Sequence, residues 1–139
     1  MSVIDDRVFV DTGAWIALAV AGDPYHERAR ATWESLRLAA AVIHTSVPVV
    51  IETFTFLDRN GGRQLATQWR DQVTGLRAVR IMETGLSDLT KAWPWLGRGE
   101  LVRLSVVDAL SFVLMKRNRL RAAFGYDQHF AQAGFRLLG

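Results

Sequence analysis

Residues 8–18 read VFVDTGAWIAL and decide the fold class. The β-branched and aromatic run Val8–Asp11 is typical of a buried strand, and the residues from Thr12 onward are typical of a helix. Asp11 therefore lies at the carboxyl end of a buried strand, where open α/β sheets place their active sites. Its charge is costly to bury unless a cation or hydrogen-bond donors meet it. An ordinary alternative stays open, because aspartate is also a favoured helix N-cap.

The bulk composition indicates one globular domain, residues 1–139, with half of the residues hydrophobic and 22% charged. The absence of cysteine excludes disulfides and thiolate metal sites and fits a reducing compartment, so we expect a cytoplasmic protein. The sequence has no signal-peptide pattern and no apolar run long enough to cross a membrane. The net charge of +3 is compatible with a nucleic-acid partner but too small to indicate one.

Strand-like and helix-like segments alternate along the whole chain. This alternation predicts a three-layer α/β/α fold around a central parallel sheet of four to five strands. Asp23, Ser46 and Ser105 are expected N-caps, and Pro94 is expected to end the fifth helix. The predicted strands are Val8–Asp11, Ala40–Thr45, Ala78–Met82, Ala122–Phe124 and Phe135–Leu138, and the predicted helices are Thr12–Val20, Tyr25–Leu38, Val47–Leu57, Arg63–Val73, Ser87–Trp93 and Val106–Asn118.

Four acids stand in apolar surroundings: Asp11, Glu52, Asp108 and Asp127. Glu52 is the only charge in the eleven residues 47–57, and a glutamate in mid-helix gains nothing from capping. Its ordinary alternatives are a buried ion pair or an exposed helix face. Asp108 also fits a capping box with Ser105, and Asp127 could be a simple turn residue.

Taken together, the four acids indicate a metal site at one edge of the sheet. Two carboxylates about 4 Å apart repel each other by on the order of 4 kcal/mol at an effective dielectric constant near 20. A divalent cation relieves that repulsion, and oxygen ligands without cysteine or a histidine cluster favour Mg²⁺ or Mn²⁺ over Zn²⁺. Such an ion can activate a water molecule and stabilise the leaving oxygen of a phosphodiester.

Four segments resemble, in order and spacing, those of PIN-domain ribonucleases, and the chain is similar to the toxin of a VapBC-type toxin–antitoxin pair. The similarity runs from Val8 to Leu138 and is carried by VFVDTGAWIAL, VPVVIETFTFL, LSVVDALSFVLMKRNRL and FGYDQHFAQAGFRLL. The resemblance implies that Asp11, Glu52 and Asp108 bind the main Mg²⁺ or Mn²⁺ ion. It also implies that Asp127 completes a second or water-positioning site and that Thr12 helps to orient the first acid.

The function implied by this resemblance is metal-dependent endonucleolytic cleavage of single-stranded or looped RNA. The products would carry a 5′-phosphate and a 3′-hydroxyl, and the implied partners are a cognate antitoxin and a second copy of the chain in a homodimer. The chain departs from the family at Gly125, where a threonine or serine is common. The loss of that hydroxyl predicts a more loosely held Asp127.

Further residues keep two interpretations each. Arg117, Arg119 and Arg121 could hold RNA phosphates or complement a helix dipole. His129 could contact the acids or RNA, although local packing or hydrogen bonding is more common for such a residue. Two other functions also remain as alternatives: a metal-dependent nuclease acting on DNA or flap structures, and a non-catalytic domain that binds nucleic acid or protein.

Overall fold

The computed structural model describes residues 6–75 and 79–139. A five-stranded sheet has the order β3-β2-β1-β4-β5, and every pair of neighbouring strands is parallel. The predicted parallel sheet is thus confirmed, with five strands. Ala78, the expected first residue of the third strand, lies outside the described residues. The strands are β1 (Arg7–Val10), β2 (Val42–Ser46), β3 (Val79–Met82), β4 (Ala122–Phe124) and β5 (Arg136–Leu138).

Helices cover both faces of the sheet, as the α/β/α prediction requires. Right-handed crossovers that run in opposite directions along a sheet place their helices on opposite faces. The chain moves from β1 through β2 to β3 and then returns to the other side of β1. The first group comprises α1 (Thr12–Ala19), α2 (His26–Leu38), α3 (Val47–Gly61) and α4 (Arg63–Gly75), and the second α5 (Leu86–Leu96), α6 (Val106–Arg117) and α7 (His129–Gln132).

The core lies on both sides of β1, whose residues Val8, Phe9 and Val10 are completely buried. On one side, the Trp15 ring packs at 5.7 Å from Trp33 and 5.9 Å from Trp69, measured between ring centroids. A cluster of phenylalanines forms the core against the other helix group, for example Phe112 and Phe130 at 5.0 Å, edge to face. A strand that is apolar on both faces is the expected centre of such a sheet.

Serine caps confirm two of the predicted helix starts. The Ser46 hydroxyl accepts a hydrogen bond from the Val49 backbone N–H at 3.2 Å, and that of Ser105 accepts one from Asp108 N–H at 3.0 Å. The third expected cap is wrong: Tyr25 is the N-cap of α2. The Asp23 carboxylate instead accepts from the Tyr25 N–H at 2.8 Å and holds the turn before the helix.

Pro94 does not end α5, because the helix continues to Leu96. Proline lacks the N–H that would bond to the carbonyl one turn earlier. So close to the helix end only that single bond is lost, and the Pro94 carbonyl still accepts from Gly97 N–H at 3.2 Å. Among the described residues, we find no helix with both the length and the apolar character needed to cross a membrane.

The order in which the chain adds strands reverses at β1: β2 and β3 lie on one side of it, and β4 and β5 lie on the other. In open α/β sheets the ligand crevice lies outside the carboxyl ends of the strands at this reversal. Asp11 follows β1 directly and Asp127 follows β4 after two residues. The topology therefore brings both acids to the same edge.

Candidate active site

Asp11 is buried at the carboxyl end of β1, with 4% of its surface exposed. Its backbone N–H donates to the Phe124 carbonyl of β4 at 2.9 Å, which ties it to the neighbouring strand. Asp11 occupies the N-cap position of α1, yet its side chain makes no capping hydrogen bond. Capping therefore does not account for the burial of this carboxyl group.

Asp108 lies in the first turn of α6 and is 8% exposed. The cap from Ser105 fixes its backbone N–H and so fixes where the side chain leaves the helix. The capping expectation and the metal-site expectation are thus compatible, since the serine caps the helix while the carboxyl group faces other acids.

Asp127 is held by His129. One carboxylate oxygen of Asp127 accepts a hydrogen bond from the His129 backbone N–H at 2.9 Å. The ring nitrogen Nδ1 of His129 lies 2.7 Å from the same oxygen, although outside the direction in which a ring N–H donates well. The other ring nitrogen, Nε2, is 2.7 Å from the Val102 carbonyl oxygen and must carry the hydrogen there, because a carbonyl only accepts.

His129 therefore joins the loop between α5 and α6 to the last acid. The local hydrogen bonding that the sequence favoured is present, and the ring also touches an acid. The contact with Val102 could not be read from the sequence, because nothing in the exposed loop residue Val102 marks its carbonyl as a partner. The short D-x-H spacing of Asp127 and His129 was the only signal.

Glu52 is half-buried on α3 and lines a groove with Ile51, Phe56 and Val107. Neither ordinary alternative, a buried ion pair or an exposed helix face, fully describes Glu52. The residue is not fully exposed, and among the described residues it forms no ion pair. Its negative charge acts on both Asp11 and Asp108. Glu52 is thus near enough for its charge to act on Asp11 and Asp108, but it does not belong to the close group of donor atoms from Asp108, Asp127 and His129.

Burial and mutual repulsion raise the pKa of two acids of the site, Asp11 and Asp108. Burial raises the pKa of Asp11 well above its usual range, and the charges of Asp108, Glu52 and Asp127 raise it further. Burial likewise raises the pKa of Asp108 to about 7, with added contributions from the charge and the shared hydrogen bond of Asp127 and from Glu52. The hydrogen bond from Ser105 acts in the opposite direction.

The donor atoms fit a hard divalent cation. One atom each from Asp108, Asp127 and His129 lies within 4.8 Å of the others. The Asp11 oxygen Oδ1 and the Thr12 hydroxyl are buried and have no hydrogen-bond partner among the described residues. Buried polar atoms without partners are rare, and a cation would satisfy the carboxylate oxygen. The Thr12 backbone contributes a hydrogen bond that lowers the pKa of Asp11, but the Thr12 hydroxyl makes none, so the orienting role of that side chain stays a prediction.

Gly125 adjoins Asp11. A Cβ atom at this position would lie 3.1 Å from the Asp11 Cβ and 3.6 Å from its oxygen Oδ2. A serine or threonine hydroxyl at this position would therefore reach the first acid, and the expectation that its loss loosens Asp127 has no support in this arrangement. Asp127 is held from the other side by His129.

The basic residues Arg117, Arg119 and Arg121 lie at the opposite edge of the sheet. Asp108 and Arg117 are at opposite ends of α6, about 14 Å apart at a helical rise of 1.5 Å per residue. Arg117 contacts Asp88 at 3.5 Å and the Glu83 carbonyl at 3.2 Å. Arg119 and Arg121 line a cavity of about 300 Å³ with Arg7. Their predicted contact with RNA could therefore involve only a part of the substrate remote from the acids.

Comparisons with known proteins agree with the fold. The PIN domain model matches residues 8–136. The 23S rRNA-specific endonuclease VapC20 of Mycobacterium tuberculosis, strain H37Rv, is 37% identical over 129 residues, which cover 92% of this chain and 95% of the relative. The same protein from strain CDC 1551 / Oshkosh matches equally well.

Two solved structures share the architecture. The crystal structure of M. tuberculosis VapC20, described as a Sarcin-Ricin loop cleaving toxin, superimposes with a TM-score of 0.83 at 34% identity, covering 92% of this chain and 95% of the other. FitAcB from Neisseria gonorrhoeae gives a TM-score of 0.70 at 14% identity over 95% and 96% of the two chains, which shows the fold alone.

Proposed function

Because the chain belongs to the PIN-domain family, we propose that it is a VapC-type toxin, an endoribonuclease that uses Mg²⁺ or Mn²⁺. The observation that carries the proposal is a group of acids whose charges raise the pKa of Asp11 and Asp108: Asp108 and Asp127 have atoms within 4.8 Å of each other, and their charges act on the buried Asp11, whose Oδ1 has no partner among the described residues. A module that only binds RNA gains nothing from such a cluster, since carboxylates repel phosphates.

The proposed role of each acid follows from its position in the fold. Asp11, Glu52 and Asp108 would hold the main cation, and Asp127, oriented by His129, would complete the site on the side of β4. The bound ion would supply an activated water and charge stabilisation for the phosphodiester. Burial of Asp11 and Asp108 keeps bulk water from screening their charges, and the caps on α3 and α6 fix the helices that carry Glu52 and Asp108.

A stem-loop of the large ribosomal RNA is the proposed substrate. The support is the similarity to VapC20, which is named as a 23S rRNA-specific endonuclease and a Sarcin-Ricin loop cleaving toxin. The two chains are 37% identical across 92% of this chain. A looped RNA suits the site, because PIN-type acids at an open sheet edge reach a strand whose bases are splayed rather than paired.

Cleavage of that stem-loop by the purified protein in Mn²⁺ tests the proposal. We expect cut RNA from the wild type and at least about 100-fold slower cleavage by Asp11→Asn, since a ligand of the cation is lost. Asp71→Asn is the matched control, because Asp71 is an exposed acid paired with Arg70. DNA of the same sequence distinguishes the alternative nuclease. Equal cleavage of DNA, or equal rates for Asp11→Asn and wild type, would contradict the proposal.

The proposed partners are an antitoxin and a second copy of the chain. Growth arrest on induced expression, relieved by co-expression of a short neighbouring reading frame and absent for Asp11→Asn, would support the toxin assignment. Arrest by both proteins would contradict it. For the homodimer, the support is the exposed apolar face of α3, where Ile51 is 61% and Phe56 41% exposed.

A further inference from the structure

Two tyrosines form an aromatic stack, and one of them belongs to the segment that leads into Asp127. The rings of Tyr25, in the loop before α2, and Tyr126, the residue before Asp127, have centroids 4.1 Å apart and are inclined by only 7°. Phe124 supports the stack from behind, edge to face with Tyr126 at 6.4 Å. The stack joins two segments that are distant in the chain, so it could not be predicted from the sequence.

A cation lies beside both rings. The guanidinium carbon of Arg28 is 5.3 Å from the centroid of Tyr25 and 5.5 Å from that of Tyr126. The Arg28 Nη2 donates to the Gly139 carbonyl at 3.0 Å, while the residue as a whole stays exposed. The guanidinium is thus held in place and still has donors that face solvent.

The stack is preorganised from both sides. The Asp23 carboxylate fixes the backbone of Tyr25 through its N–H at 2.8 Å, and Tyr126 is fixed by β4 and by its packing on Phe124. Tyr25 nevertheless keeps 40% of its surface exposed, although Tyr126 covers one ring face. The exposed area of Tyr25 therefore lies outside the ring face that Tyr126 covers.

Tyr126 of the stack directly precedes Asp127 in the chain, which indicates a role for the stack beyond packing. Tyr126 is covalently next to Asp127, and neighbouring Cα atoms are about 3.8 Å apart. A strand of RNA whose phosphodiester lies at the acids must place its neighbouring nucleotides on the surfaces around Asp127. Aromatic rings with an adjacent arginine are the surfaces on which proteins stack unpaired bases.

We infer that the exposed face of Tyr25 is a stacking subsite for an unpaired nucleobase that flanks the cleaved bond, with Arg28 facing the phosphate of that nucleotide. This subsite rests on the proposed cleavage of RNA and adds a binding determinant to it. Asp23 and Glu27 lie on the same loop and helix and would repel phosphates. The attraction for the RNA backbone beside the stack therefore comes from Arg28.

Cleavage kinetics with Tyr25→Ala test the subsite. The loss of one base-stacking contact should raise KM for the stem-loop by about 5- to 100-fold, with a much smaller change in kcat. Tyr25→Trp, which offers a ring again, should recover most of the affinity. Leu38→Ala is the matched control, because it removes an exposed apolar side chain, 73% accessible, from the far end of α2.

A fluorescent base supplies a readout that a packing role would not change. With 2-aminopurine placed in turn at each nucleotide beside the cleavage site, binding to Asp11→Asn protein should quench one position, and the additional Tyr25→Ala change should abolish the quenching. An unchanged KM for Tyr25→Ala with a lowered melting temperature would overturn the inference, leaving the stack as a structural tie. If the wild type cleaves no RNA, the proposed function itself fails.

Discussion

At the scale of single residues, burial decides what each acid can do. Asp11 and Asp108 are almost inaccessible and lie near other negative charges, so their ionised forms are costly without a cation. Asp127 and Glu52 are half-buried, and their charges act on Asp11. In the proposed function, the arrangement that destabilises the metal-free protein would provide affinity for a divalent ion.

The raised pKa of Asp108 predicts how the stability of the metal-free protein depends on pH. Between its ordinary pKa of 3.8 and its folded pKa of about 7, the folded protein holds a proton that the unfolded chain has lost. The free energy of unfolding therefore falls as pH rises through this window, by on the order of a few kcal/mol, and Asp11 acts in the same direction.

Urea denaturation at a series of pH values in EDTA measures this effect. Asp108→Asn should flatten the dependence, since the asparagine does not titrate, while Asp71→Asn at the surface should leave it as in the wild type. Because Glu34 and Asp58 have lowered pKa values and act in the opposite direction, the test is the difference between variant and wild type, and an Asp108→Asn curve parallel to that of the wild type would contradict the raised pKa of Asp108.

His129 offers a test of how Asp127 is oriented. In His129→Ala both ring contacts are lost, to Asp127 and to the Val102 carbonyl. We expect RNA cleavage to slow by about 10-fold, the lower end of the usual effect of losing a neighbour of a metal ligand, because the backbone N–H at position 129 still donates to Asp127. Gln128→Ala, an exposed neighbour, should cleave like wild type. Equal rates for the two variants would remove His129 from the site.

At the scale of elements, helix caps connect the sequence to the site. The serines before α3 and α6 could be predicted because a cap is local: the hydroxyl needs only a helix that starts at the next residue. Asp23 failed as a cap for an equally local reason, since the turn around Pro24 uses its carboxylate first. The parallel sheet could be predicted from alternation alone, because its buried strands carry continuous apolar runs.

Contacts between distant segments could not be predicted in this way. The pairing of Tyr25 with Tyr126, the His129 contact with Val102 and the approach of Gly125 to Asp11 all depend on how the loops pack. The meeting of Asp11 and Asp127 was predictable, because both follow parallel strands that share an edge. The place of Glu52 followed less directly, from its isolation in an apolar helix.

The cap of α6 is a testable link between helix stability and catalysis. Ser105→Ala should cost about 1 kcal/mol of unfolding free energy and also slow cleavage, because Asp108 N–H loses its acceptor. Ser105→Thr should retain most of both properties. Ser35→Ala, which removes an exposed hydroxyl from α2, should change stability by less than about 0.5 kcal/mol. Chemical denaturation and a cleavage time course, run side by side, provide both readings.

At the scale of the whole molecule, the two edges of the sheet differ in charge. The acids gather at the carboxyl edge, whereas Arg7, Arg119 and Arg121 surround a cavity at the amino edge. Cations are not confined to that cavity, since Arg59 lines the groove of Glu52 and Arg28 adjoins the tyrosine stack. In the proposed function, RNA affinity would come from the metal, from stacking and from such arginines.

The exposed apolar face of α3 predicts the oligomeric state. Ile51 and Phe56 are exposed there and line a groove with Val107. We expect a homodimer that buries this face, and Ile51→Glu should give a monomer by light scattering, because a charge in an apolar interface is costly to desolvate. Leu38→Glu on α2 should remain dimeric. A wild type that is monomeric at micromolar concentration would contradict the prediction.

In the proposed site Asp11, Glu52 and Asp108 hold a divalent cation and Asp127 completes the site, and thermal unfolding in Mn²⁺ tests this arrangement most directly. At 100 times the dissociation constant, binding to the folded state alone adds about 2.7 kcal/mol, a rise of roughly 10 °C in Tm for a chain of this length. We predict that rise for the wild type and for Asp71→Asn, and its loss in Asp11→Asn. A wild-type Tm that stays unchanged in millimolar Mn²⁺, or rises equally in Asp11→Asn, would contradict the account.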